Sequence, residues 1–226
     1  MTFSKFLKWS ASFVRLMVLK IGLGSNVSWP HGGKPVYIGR GARIRVADGG
    51  RLRIGQGLYL SENCLIQVNP EAEVSLGEHV FMNANSRVVS AKSVEVGDNS
   101  MFGPNVCVYD HDHVIGCNGV SAELVCDPVS IGSSCWIGAN SVVTKGVVVA
   151  SKIAIGGGAV VTRSLTEMGV YAGVPARLVS HFAAQGGCVN DESSEKTLAP
   201  QLGNITTQMA PQGGGSITAG QAEKRA

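Results

Sequence analysis

The sequence predicts an all-β chain wound as a parallel β-helix of about six triangular coils, with a helix before it and a cap and tail after it. Two observations support this. Counting in sixes from Ile131 meets Ile137, Val143, Val149, Ile155 and Val161, an unbroken run of β-branched aliphatics. Earlier stretches keep the interval in triplets (Ile54, Leu60, Ile66; Leu76, Met82, Val88; Val96, Phe102, Val108), and Ile38 and Ile44 open another. A period of two would give a strand meander and a period of seven a coiled coil; a period of six gives neither. The second observation is composition: 30 glycines, with 6% aromatic and 15% charged residues in 226. That balance suits short strands joined by tight turns rather than a helical bundle.

Three hexads make one coil, each a short strand followed by a bend. The aliphatic points inward, and a glycine after it permits the corner, as in "VYIG", "LRIG", "VSLG", "VEVG" and "VSIG". The fifth position is small or apolar (Ala42, Cys64, Val80, Ser100, Cys135, Ser141, Ala159). Stacked coils satisfy one another's backbone groups and bury a continuous core.

Taken in chain order, residues 1–33 form an amphipathic helix and linker. "MTFSKFLKWSASFVRLMVLKIG" carries Lys5, Lys8, Arg15 and Lys20 and no acid. Arg15 interrupts its apolar stretch, so no span long enough to cross a membrane remains, and a secretory signal is disfavoured. Phe3, Leu7, Ser10, Val14, Met17 and Ile21 share one face, which suits either a cap on the first coil or a helix lying on a membrane surface. The repeat spans residues 34–165. Its period fails between Val108 and Ile131, leaving a protruding loop at 114–128 that is longer than an ordinary turn. Residues 166–183 read as a C-terminal cap. Residues 184–226 are polar, aperiodic and rich in Gly, Ser, Thr and Gln, and read as a disordered tail.

The six cysteines show neither CxxC pairs nor zinc spacing and read as small buried hydrophobes in a reducing compartment, consistent with a cytoplasmic location. Only Cys117 and Cys126, bracketing one loop, would suit a disulfide. A net charge of +3 without a basic run gives no footprint for nucleic acid.

His31, His79 and His181 are isolated and read as surface or end-of-domain residues. "GPNVCVYDHDH" differs, because it sets His111 and His113 where the regular coil gives way. Residues two apart in a strand share a face, so both imidazoles would lie on one side and Asp110 and Asp112 on the other. Three readings are open: a metal site, a general base, or a polar corner. The HxH pair supplies two zinc ligands and no third histidine stands in phase on a neighbouring coil, so no metal is expected. A neutral histidine can instead take a proton from a hydroxyl as it attacks an activated acyl group. Asp110 or Asp112 would then fix the tautomer and stabilise the imidazolium.

Over residues 36–180 the chain resembles hexapeptide-repeat acyltransferases, similar to galactoside, maltose and polysaccharide O-acetyltransferases. The match rests on "VEVGDNSMFGPNVCVYDHDH", "VSIGSSCWIGANSVVTKGV", "IAIGGGAVVTRSL" and "VYAGVPARLV". The resemblance implies a left-handed winding. It also implies an acetyl-CoA-dependent transfer to a sugar hydroxyl, in capsule, exopolysaccharide or lipopolysaccharide synthesis. In such enzymes the catalytic histidine follows the "PNV" valine by seven residues. From Val106 that count reaches His113, with His111 as the fallback. The substrate-holding asparagine matches Asn83, with Asn85 close by. Ser90 and Ala91 replace carboxylates that galactoside-type enzymes carry, which leaves the acceptor sugar open.

The resemblance further places coenzyme A between adjacent prisms of a homotrimer, its arm held by amides matching Ala139 and Gly157. Ala139 N–H would also receive the oxyanion. Trp136 would line the thioester end, Thr162 and Arg163 would meet the nucleotide, and Arg177 the phosphates. Transfer would be direct, since no nucleophile motif such as GxSxG is present. The partners implied are a sugar or polysaccharide-precursor acceptor, with peripheral contact to the cytoplasmic face of a membrane through the N-terminal helix. The alternatives are an amino sugar or amino acid as acceptor, a non-catalytic β-helix scaffold, and a zinc carbonic anhydrase-like protein.

Overall fold

The structure, a computed structural model, describes residues 3–30 and 32–182, with side chains from Leu7 onward. His31, Cys188 and the tail expected at 184–226 lie outside the described residues. The chain winds as a left-handed parallel β-helix whose strands stack into three faces. Face A runs from Val27–Ser28 to Val148–Val149 and face C from Arg43–Val46 to Val160–Val161, six strands each. Face B runs from Tyr37–Ile38 to Arg177–His181 and has eight, because the cap adds Gly169–Ala172 in parallel and Arg177–His181 antiparallel. The first strand of face A lies in the segment expected as linker, so stacking begins at Val27 rather than at residue 34.

The inward aliphatics stack on one another from coil to coil. On face B, Ile38, Leu60, Met82, Phe102, Ile137 and Ile155 form one register-matched column, all fully buried. Coil length varies along the axis. Val74 stacks on Leu52, 22 residues earlier; Val94 on Val74, 20 earlier; Val129 on Val94, 35 earlier; and Val148 on Ser130, 18 earlier. Only the last spacing is three hexads. The earlier coils carry four-residue strands on faces A and C with two inward residues each, such as Ile66 and Val68. This is why the sequence interval survives there only in triplets.

Each corner between faces B and C needs one left-handed residue. Asn63, Asn85, Asn105 and Asn140 supply it at the four middle corners with φ of 57–62° and Gly41 and Gly158 at the first and last, a conformation asparagine tolerates better than other non-glycine residues. Asn105 Nδ2 also donates to Asn140 Oδ1 at 3.0 Å. Coils approach so closely at this corner that a Cβ on Gly138 would lie 2.5 Å from Gly157 N.

Helix α1 (Phe3–Leu23) caps the first coil. Ile38 N–H donates to Ser12 Oγ at 2.7 Å and Arg15 Nη1 donates to Ile38 O at 2.9 Å, so the strand's free edge is satisfied by helix side chains. Leu16, Leu19 and Leu23 pack on the core, and Trp9 meets Tyr37 edge-on. The docking face is therefore not the apolar face read from the sequence. Leu7, Val14 and Ile21 of that face are exposed, because the edge of Ile38 selects the helix side that can hydrogen-bond to it.

The protruding loop is an antiparallel hairpin, His111–Gly116 paired with Gly119–Cys126. It starts at His111 rather than at 114, so both histidines belong to it. All five described cysteines are free thiols. Cys64 and Cys135 are buried as expected, Cys107 and Cys126 are partly covered, and Cys117 is exposed. Cys117 occupies the hairpin turn while Cys126 sits at its foot opposite His111, a strand's length apart, so the disulfide reading fails.

Phe102 is the largest fully buried side chain of the column. Phe102→Ala should lower unfolding stability by about 3–5 kcal/mol, read as a shift of the denaturant midpoint.

Candidate active site

The corner from face C to face A sets the site. In one coil it is Asn69–Ala72, four residues between strands; in the next only Ala91 and Lys92 separate them. The shortened corner turns three amides toward one point. Asp110, one coil further on, fills that point with its carboxylate. Its Oδ1 accepts from Ala91 N at 2.7 Å. Its Oδ2 accepts from Lys92 N at 2.8 Å, and from Ser93 N and Ser90 Oγ at 2.7 Å each. A fifth donor is His111 Nδ1, 2.9 Å from Oδ1. Asp110 is completely buried. Burial alone would push its carboxyl up, but the amides of Ala91 and Lys92 with His111 and Ser90 outweigh it and hold it below the ordinary carboxylate value. Asp127 N–H donates to Asp110 O at 2.9 Å and closes the foot of the hairpin.

The two imidazoles are held by groups that only accept. His111 Nδ1 faces the Asp110 carboxylate, and His113 Nδ1 lies 3.0 Å from the Ser121 carbonyl oxygen. When neutral, each ring therefore carries its proton on Nδ1 and leaves a lone pair on Nε2. The rings differ in access. The His111 side chain is 16% exposed and Tyr109 stands edge-on to it. His113 is exposed and lines an open cleft with Val114, Ile115, Val120, Val125 and Lys145. Asp112, expected as a possible orienter, instead meets Lys145 Nζ at 3.4 Å. Of the two carboxylates, Asp110 alone touches an imidazole. Among the described residues no group of three or more His, Cys, Asp or Glu is placed to hold a metal ion.

The remaining predicted residues fall into two columns. Asn83 and Asn85 occupy the corner between faces B and C, and Ala139 and Gly157 occupy the same corner two and three coils further on. Gly158 N–H donates to Ala139 O at 2.8 Å there. Trp136 is half-buried on the outer side of face B, just before that corner. His113 rises from the corner between faces C and A, and exposed Thr162 and Arg163 follow the last strand of face C on the same side. Arg177 opens the last cap strand, exposed, with Nη1 donating to Ala176 O at 2.9 Å. One chain thus does not bring His113 together with Asn83 or Ala139. Lys145 was not foreseen, because only the stacking of coils sets it beside Asp112. The Ser90–Ser93 cradle had one sequence signal, a coil two residues short.

The family described as "Hexapeptide repeat of succinyl-transferase" matches residues 128–163. Galactoside O-acetyltransferase of Escherichia coli K12 is 31% identical over 112 residues, 48% of this chain and 54% of that one. A putative acetyltransferase of Dictyostelium discoideum is 30% identical over 129 residues, 57% of this chain and 67% of the relative. The chain belongs to the hexapeptide-repeat acetyltransferase family. Within that family, the chain spans about half the length of the first curated relatives it matches. The Bacillus cereus N-acyltransferase AntD, solved as a point mutant with dTDP and coenzyme A, shares the hexapeptide-repeat fold. Its TM-score is 0.63 at 21% identity, over 73% of this chain and 88% of that one.

Asp110→Asn should keep the shape but turn an amide group toward several N–H donors, costing about 1–3 kcal/mol. Because the folded carboxyl lies below its ordinary value, the stability it contributes is present above that value and lost as pH falls through the lowered one. The gap between wild type and variant, read from urea midpoints, should be full near neutrality and shrink in acid.

Proposed function

We propose that the protein is an acetyl-CoA-dependent acyltransferase that moves an acetyl group to a sugar hydroxyl, with His113 as general base. The observation that carries this is an accessible imidazole on the hairpin, its Nδ1 beside the Ser121 carbonyl, which leaves the Nε2 lone pair available as a base. The family's galactoside acetyltransferase supports a sugar hydroxyl as acceptor, and coenzyme A in the AntD complex supports the donor. Asn83 and Asn85 hold the acceptor, the amides of Ala139 and Gly157 hold the pantetheine arm, and Trp136 lines the thioester end. Thr162 and Arg163 meet the nucleotide and Arg177 its phosphates.

Because the base and the donor column stand at different corners of one prism, the site forms between copies, and the working unit is a homotrimer. His113 Nε2 takes the hydroxyl proton as the oxygen attacks the thioester carbonyl. The oxyanion receives Ala139 N–H. Collapse breaks the carbon–sulfur bond, and the departing thiolate takes the proton from the imidazolium. His111, tied to Asp110, positions the hairpin and does not itself exchange the proton.

His113→Ala should lower kcat by about 10²–10⁴-fold while leaving coenzyme A affinity within a factor of about two, measured by thiol release with galactoside acceptors and by calorimetry. Absence of turnover in the unmodified chain would mean an idle scaffold, and unchanged turnover in His113→Ala would remove His113 as the base. A loss of the same size in His111→Gln with the fold intact, against an unaffected His113→Ala, would move the base to His111. Preference for an amino-sugar amine over a hydroxyl would overturn the acceptor.

A further inference from the structure

Winding converts sequence order into height along the column, so a charge imbalance along the chain becomes an imbalance between its ends. Residues 1–53 hold ten of the 19 Lys and Arg and a single acid, Asp48, giving +9. Residues 54–182 hold six cations and eleven acids, giving −5. The helix end of the column is therefore strongly cationic although the chain as a whole carries only +3. Arg40, Arg43, Arg45, Arg51 and Arg53 are all exposed on the coil next to α1. Arg51 is the one among them bonded to a carboxylate, Glu73 Oε1 at 2.7 Å.

Helix α1 adds apolar surface at the same end. Its inner side, Ser12, Leu16, Leu19 and Leu23, is committed to the first coil. At 100° per residue the opposite side carries Leu7, Val14, Val18 and Ile21, exposed by 52%, 60%, 64% and 85%. Lys8 and Lys20 fall on the two flanks between these sides, both exposed, and Lys20 Nζ lies 5.5 Å from the Trp29 ring. An apolar strip bordered by lysines, with arginines behind it and no acid within the helix, has the chemistry of a helix seated at the boundary of headgroups and acyl chains. No helix among the described residues is long and apolar enough to cross a membrane. A second copy of the same helix is disfavoured as occupant, since it would oppose cation to cation.

We infer that α1 and the first coil dock the column end-on to an anionic lipid bilayer, with Leu7, Val14, Val18 and Ile21 in the acyl boundary and Lys8, Lys20 and the arginines on the headgroups. This holds the cleft of His113 and Lys145, three to four coils further along the axis, at a fixed height above the surface. The inference does not depend on the reaction proposed above.

The test is cosedimentation of the full chain with vesicles of phosphatidylcholine alone, or with about a third phosphatidylglycerol. The protein should pellet with the anionic vesicles, much less with the neutral ones, and less as salt rises. The double variant Val14→Asp/Ile21→Asp should lose pelleting while keeping its circular dichroism and sedimentation coefficient. Lys8→Glu should weaken it roughly fivefold or more. The inference would be overturned by no pelleting with anionic vesicles, by equal pelleting with both kinds, or by pelleting that survives the double variant. A double variant that falls to a smaller oligomer would show the strip covered by a second copy, and would overturn it too.

Discussion

Every feature of this chain depends on one constraint: successive coils must stack in register, inward aliphatic on inward aliphatic, so that each strand's amides and carbonyls find the coil on either side. Once Leu60 sits over Ile38 and Met82 over Leu60, a residue's place in the sequence decides both its face and its height. The core is then a column rather than a centre, and polar side chains gather where the chain leaves the stack, at its corners. Ala139 and Gly157, proposed to hold the donor, and His113, proposed as the base, leave it at different corners, and the proposed reaction therefore needs contact between copies.

Asp110 is where the constraint is broken and repaired. A coil two residues short leaves the amides of Ala91, Lys92 and Ser93 without a turn to close on, and a carboxylate from the following coil takes the place of that turn. The same carboxylate accepts from His111 and anchors the start of the hairpin. A stability device and a site-building device are thus one residue. Ser90 and Ala91, which depart from the galactoside-type pattern, belong to this cradle, so the departure has a structural reason.

Much of the column was legible because inward positions must be aliphatic and repeat at the strand-and-bend interval; Ile131 to Val161 could hardly be read otherwise. The histidines stood out because they follow the last in-phase residue, Val108. What was hidden depends on contacts between coils far apart in sequence. Nothing local to Asp110 announces three amides some 17 to 19 residues earlier, and nothing local to Lys145 announces Asp112. The helix misled for a different reason. It has two apolar sides, and the more regular one, Leu7, Val14 and Ile21, drew the reading. The hydrogen bonds of Ser12 and Arg15 to Ile38 decided which side docks.

The central claim is that the base on one corner and the acceptor and donor groups on another meet only between neighbouring copies. The most direct measurement is activity in mixed trimers assembled from His113→Ala and Asn83→Ala chains carrying different tags. Each variant alone should be nearly inactive, and mixed trimers should regain a substantial share of activity, because some interfaces then pair an intact His113 with an intact Asn83. Mixed trimers that form and stay as inactive as either parent would contradict the claim.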